Sequence, residues 1–155
     1  MNNYLKFAIC VLIPFIIGGF SSAFTIEAIP TWYTTIQKPS FNPPNWIFAP
    51  VWSTLYVLMG VSFYLVLTHQ SSATKKAAIF TFVIQLTLNF FWSLIFFKWH
   101  AIGWAFLEII AMWIAILFMI RRFYLIHPLA AYMNIPYILW VSFASVLNGT
   151  IYYLN

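Results

Sequence analysis

Nine charged side chains in 155 residues leave most of this chain with no charge at all. Lys6 and Glu27 bracket 20 uncharged positions, Lys38 and Lys75 bracket 36, and Lys76 and Lys98 bracket 21. Lys98 and Arg121 bracket 22 positions that carry only Glu108, and 33 residues follow Arg122. A helix needs about 20 apolar residues to cross a hydrocarbon core of ~30 Å. Five spans fit, at about 6–26, 46–68, 77–97, 103–122 and 129–153. Backbone groups in lipid must find their partners within the segment, so the spans are helices. Ten-residue strands alternating between lipid and lumen faces are absent, which argues against a barrel.

Composition supports the same conclusion. Apolar residues make up 64% and charged residues 6%, against roughly 45–50% and about 25% in a soluble domain. Seven bases and two acids cannot cover a globule in water. The fold class expected is all-α: one domain over 1–155, an integral membrane bundle of five transmembrane helices. The first span is too long for a secretory h-region and ends without a small-residue cleavage site, so it reads as a retained helix.

The net charge of +5 does not point to nucleic acid, because the bases sit at span ends and form no patch. Anionic headgroups of membrane lipids are the expected partner. Lys6, Lys75, Lys76, Arg121 and Arg122 fall on one side of a five-span topology, and Lys38 and Lys98 on the other. In a bacterial inner membrane this puts the N-terminus in the cytoplasm; in an outer membrane the rule has less force.

Little conventional chemistry is available. Cys10 is alone, so no intrachain disulfide or thiolate cage can form. His69, His100 and His127 have no metal-ligand spacing, so no metal site is expected. Two acids in different segments make no carboxylate dyad, and no cofactor is required. Glu108 is expected to snorkel toward Lys98 or His100.

What remains is aromatic and amide. The segment 27–45 is long and holds Pro30, Pro39, Pro43 and Pro44 with Trp32, Tyr33 and Phe41. Its prolines oppose helix and stiffen it. A long loop in a minimal bundle either covers a site or anchors aromatics at headgroup level. Gln85 and Asn89 share a face of the third span, and Trp92 and Ser93 continue it. Tyr137, Trp140, Ala144, Leu147, Asn148 and Ile151 follow helical spacing in the fifth, where Pro136 should kink the helix. Amides at membrane depth must point inward, either as interhelical glue or as polar anchors in an aromatic pocket. Gly18 and Gly19 with Ser22 and Ala23, and Ser145 with Gly149, form small-xxx-small pairs.

Four stretches, in order, carry a family resemblance. Trp32-Tyr33, Lys38-Pro39-Ser40-Phe41-Asn42-Pro43-Pro44, Trp46 and Pro50-Val51-Trp52, leading to Tyr56 and Met59-Gly60, come first. Gln85, Leu88-Asn89, Trp92 and Phe96-Phe97 follow, then Gly103-Trp104 with Glu108, and last Pro136-Tyr137, Trp140, Phe143-Ala144, Leu147-Asn148 and Ile151. Together they resemble the TspO/MBR family, the tryptophan-rich sensory protein, translocator protein or peripheral benzodiazepine receptor family, in its bacterial type. The resemblance implies a homodimer of five-helix bundles with a lipophilic pocket beneath the first loop. It also implies binding of protoporphyrin IX or a related tetrapyrrole at Trp32, Trp52, Tyr56, Gln85, Asn89, Trp140, Ala144 and Asn148. Gln85, Asn89, Asn148 and Lys38 are candidates to meet propionates or pyrrole nitrogens.

The function the resemblance implies is a membrane receptor or sensor for tetrapyrroles, linked to their metabolism and to stress. One alternative is a light-dependent porphyrin-degrading enzyme in which Trp52 and Trp140 are the catalytic residues. Another is a porphyrin or lipid transporter. The chain ends Leu147, Tyr152, Tyr153, Leu154, Asn155 without the base that a proposed sterol motif requires, which argues against tight sterol binding.

Overall fold

The computed structural model describes residues 2–69 and 74–155. They form helices α1 (Asn3–Ala28), α2 (Trp32–Thr35), α3 (Phe48–Thr68), α4 (Lys75–Ser93), α5 (Ile102–Tyr124), α6 (Pro128–Tyr132) and α7 (Ile135–Leu154). A 3₁₀ turn, Asn45–Ile47, leads into α3, and a π turn, Leu94–Lys98, ends α4. Five segments are long and apolar enough to cross a membrane: Asn3–Ala28, Asn45–Thr68, Lys75–Lys98, Ile102–Tyr124 and Pro128–Leu154. The all-α, five-span architecture expected from charge spacing is therefore present. The loop expected at 69–76 falls partly outside the described residues.

Around the bundle α1 packs on α3 and α4, α4 on α5, α5 on α6 and α7, and α6 closes the ring against α3. Lipid tails are as apolar as leucine, so contact between these helices rests on close packing and buried polar pairs. Gly60 shows the first. A Cβ there would meet Val11 Cα at 2.5 Å and the Cys10 carbonyl oxygen at 2.8 Å, so only glycine lets α3 touch the α1 backbone. The pairs read as small-xxx-small motifs serve rings instead: Gly18 lies under Tyr56, and Gly149 under Phe106.

The helix ends follow their sequences. Asn2 caps α1 by accepting the Tyr4 N–H at 3.1 Å, and Arg121 and Arg122 sit in the last turn of α5, where the dipole favours cations. The fifth span breaks rather than kinks. Pro128 opens α6 and Pro136 opens α7, each within the first turn, where its missing N–H costs no helical bond. Asn134 bridges the break: its Nδ2 donates to the Ala130 carbonyl and to Ser62 Oγ, both at 2.8 Å.

The 27–45 segment is more structured than its prolines suggest, since α2 gives it one helical turn. It is fastened at several points. Lys38 Nζ donates to the carbonyls of Tyr33 at 2.6 Å and Ile36 at 2.9 Å. The buried Tyr33 hydroxyl donates to Asn42 Oδ1 at 2.7 Å. Gln37 and the Asn155 side-chain amide exchange hydrogen bonds of 2.9 and 3.0 Å. Across the turn after α4, the π geometry and the positive φ of His100 (55°) bring the imidazole onto Trp32, with centroids 4.2 Å apart and planes 12° from parallel.

Candidate functional site

Beneath this loop lies a cavity of about 380 Å³, walled by α1, α3 and α4. Trp52, Tyr56, Trp92, Phe48 and Phe97 form its aromatic side. Ser21, Ser22, Thr25 and Ser93 form a hydroxyl-bearing side. A second space of about 30 Å³ lies beyond Trp52, bounded by Trp140, Ala144, Leu147 and Asn148 of α7. Trp52, Trp92, Phe48 and Phe97 border both, so they form the partition between the two. The larger volume falls at the low end of the ~300–1,000 Å³ usual for small-molecule sites.

Helical spacing sets these positions. Trp52 and Tyr56 are one turn apart on α3, and their rings stack at 5.6 Å and 26°. Trp52 also meets Tyr137 edge-on at 6.3 Å, and Phe48 meets Trp140 edge-on at 6.1 Å. Offset and edge-to-face pairs of this kind add about 0.5–1.5 kcal/mol each beyond buried area. Such rings present wide, stiff surfaces to a flat ligand with little rotamer entropy left to lose.

Most of the amides expected to meet a ligand are committed to the protein. Tyr56 Oη donates to Asn89 Oδ1 at 3.0 Å, and Asn89 Nδ2 donates to Tyr137 Oη at 3.2 Å. The Tyr137 hydroxyl donates to Gln85 Oε1 at 2.9 Å. Asn148 Oδ1 accepts from Trp92 Nε1 at 3.0 Å, and its Nδ2 donates to the Ile102 carbonyl at 3.1 Å. Asn148 therefore orients Trp92, and Asn89 ties α3 to α7 through α4. Gln85 is fully buried and borders neither cavity.

Of the eight positions singled out in the sequence, Trp52, Tyr56 and Asn89 line the larger cavity, and Trp52, Trp140, Ala144 and Asn148 the smaller. Trp32 lines neither; its ring lies between His100 and Phe96. Lys38 is occupied by loop carbonyls rather than aimed inward. The α1 hydroxyls were missed, although Ser21, Ser22 and Thr25 follow i, i+1, i+4 spacing. Trp92 and Ser93 were noticed as a face but not named as cavity walls.

Two buried groups at or near the site lack partners among the described residues: the indole N–H of Trp140 and the Nε2 of Gln85. A third, Glu108, corrects the snorkelling expectation. Both its carboxylate oxygens are covered and unpartnered, while Lys98 lies 4.0 Å from Glu27 instead. Glu108 borders a groove of about 560 Å³ whose other walls, Ile95, Trp99, Ala101, Trp104 and Leu107, offer no cation. Among the described residues no three His, Cys, Asp or Glu side chains gather as a metal site.

A sequence profile of the TspO/MBR family matches residues 10–154. The "Tryptophan-rich protein TspO" of Archaeoglobus fulgidus is 39% identical over 155 residues, covering 99% of each chain. The "Translocator protein" of Homo sapiens is 39% identical over 119 residues, 76% of this chain and 70% of its own. The "Tryptophan-rich sensory protein" of Cereibacter sphaeroides is 29% identical over 124 residues, 80% of this chain and 77% of its own.

Proposed function

This chain belongs to the TspO/MBR family, and from that premise we propose that it is a membrane receptor whose inner cavity binds protoporphyrin IX or a related tetrapyrrole. The observation that carries the reading is the buried, unpartnered Trp140 N–H at the edge of an aromatic cavity. A buried donor without an acceptor costs about 1–3 kcal/mol, which a ligand acceptor would recover. Trp52, Trp92 and Trp140 supply π faces for a macrocycle, and Ser21, Ser22, Thr25 and Ser93 supply hydroxyls for its polar edge. Trp52 borders both spaces, so rotation of its ring would join them for a macrocycle.

The alternative of a photochemical enzyme uses the same rings. Trp52 and Trp140 flank the smaller space, where an excited porphyrin would draw electrons from indole. The two readings part under light. A receptor holds the porphyrin with its absorbance unchanged, whereas an enzyme bleaches it with a new product band that disappears in the Trp52→Phe, Trp140→Phe double variant. Saturable binding in darkness supports both; its absence overturns both. We further propose that the chain sits in a bacterial cell membrane as a homodimer, which cross-linking in native membranes tests.

A further inference from the structure

The inner site touches the surface of the bundle on two sides of α3. On the first, the larger cavity is bordered by Gly19, Ser22, Ile26 and Ser53, all exposed between α1 and α3. On the second, a lipid-facing groove of about 570 Å³ runs between α3 and α7, lined by Pro50, Val51, Thr54, Leu139, Trp140 and Phe143 among others. Trp140 also borders the small inner space beyond Trp52. Its indole alone among these six residues lies on both the groove and the interior. We infer that Trp140 is the leaf of a second, gated opening, through which a flat, apolar, bilayer-dissolved ligand exchanges between the inner site and the membrane.

The way the two seams are fastened supports this. No hydrogen bond or ion pair among the described residues joins 48–55 of α3 to 136–147 of α7. The edge contacts of Trp140 with Phe48 and of Tyr137 with Trp52 span that seam. The firm tie is lower, where Asn134 Nδ2 donates to Ser62 Oγ beside the break between α6 and α7. Tyr137, in the first turn of α7, is held to Asn89 and Gln85 of α4, so the opening falls to rotation of the Trp140 indole, whose N–H has no partner among the described residues, and not to movement of the helix. The loop end is closed by polar contacts: the Lys38 and Tyr33 bonds, the Gln37–Asn155 pair and the Glu27–Lys98 pair. A lipophilic molecule partitions into the bilayer, not into that polar cap, and meets the groove first. Two openings on opposite sides of α3 give it a path through the protein.

This inference rests on the receptor reading, and the test separates the two. In a Cys10→Ser background, cysteine pairs are placed at Ser22 and Ser53 for the first seam and at Thr54 and Leu139 for the second. Each pair is closed with a flexible bismaleimide in lipid nanodiscs. Dissociation of protoporphyrin IX is then followed by stopped-flow tryptophan fluorescence. Either link alone should slow exchange by a few fold, and both together by more than about tenfold, a barrier increase above ~1.4 kcal/mol. If the Ser22–Ser53 link alone stops exchange and the Thr54–Leu139 link has no effect, the second opening does not exist. Should a linked protein fail to assemble, Thr54→Trp, which fills the groove from its exposed side, replaces the link with the same two outcomes. No saturable binding by the unlinked protein overturns the receptor reading, and the gate with it.

Discussion

Tyr56 and Asn89 are joined by a 3.0 Å hydrogen bond from the phenol to the amide oxygen, between two buried side chains on the wall of the larger cavity. Asn89 passes the connection to Tyr137, so one amide holds α3, α4 and α7 together. Replacing Asn89 with Leu leaves the buried Tyr56 phenol without its acceptor, at about 1–3 kcal/mol, while Tyr137 keeps its bond to Gln85. Tyr56→Phe removes one bond and should cost about 1 kcal/mol. Thermal unfolding in detergent checks both, and Asn89→Leu must be the more damaging.

Gly60 and Gly18 predict different failures. Gly60→Ala drives a methyl into the α1 backbone, where nothing can give, so it should lower the unfolding midpoint by several degrees. At Gly18 the three atoms nearest to a Cβ all belong to the Tyr56 ring, the closest 2.1 Å away. Gly18→Ala should turn that ring into the cavity and alter near-ultraviolet dichroism while the helices persist.

Glu108 is buried at its oxygens without a hydrogen bond or cation among the described residues. Removing an uncompensated acid should help the fold. Glu108→Leu, which removes both unmet oxygens and keeps most of the volume, is expected to stabilise by about 1–3 kcal/mol, the desolvation cost of an unmet polar group. A fall in the unfolding midpoint would reveal a cation or proton donor at that site.

The cap over the site carries a pH response. Burial pushes the Tyr33 phenol up to about 12, against a smaller lowering from its bond to Asn42. The unfolded phenol loses its proton near pH 10. Between about pH 10 and 12 the folded form thus holds more protons than the unfolded one, and stability falls as pH rises. Cleavage within 27–45 by an alkaline subtilisin, taken relative to an unfolded peptide substrate, should accelerate across that window. Tyr33→Phe should remove the pH dependence and leave cleavage slow at both ends.

The gaps between charges revealed the five spans because the cost of a charge in lipid exceeds every competing preference. Helical spacing likewise placed Trp52 beside Tyr56, and Trp140 above Ala144 and Asn148. Two features were not legible. The π turn at Leu94–Lys98 depends on how Phe96 and Phe97 pack, which no local pattern encodes. The partners of Asn89, Asn148 and Lys38 were hidden for a related reason: spacing tells which face a polar group shares, not whether a ligand or a neighbouring helix meets it. Trp32 shows the limit of a loop motif, since its ring went to His100 through a backbone conformation that the residue His does not announce.

The proposed receptor function requires a tetrapyrrole in the space between Gly18, Trp52 and Trp140. The most direct test is a dark titration of protoporphyrin IX, followed by tryptophan quenching, in the wild type and in Gly18→Leu. A leucine side chain there must enter the cavity or displace Tyr56 into it. The wild type should quench saturably, and the filled variant, still helical by circular dichroism, should lose at least about tenfold in affinity, a change of ~1.4 kcal/mol. Equal saturable quenching by both proteins would place the ligand elsewhere and contradict the account.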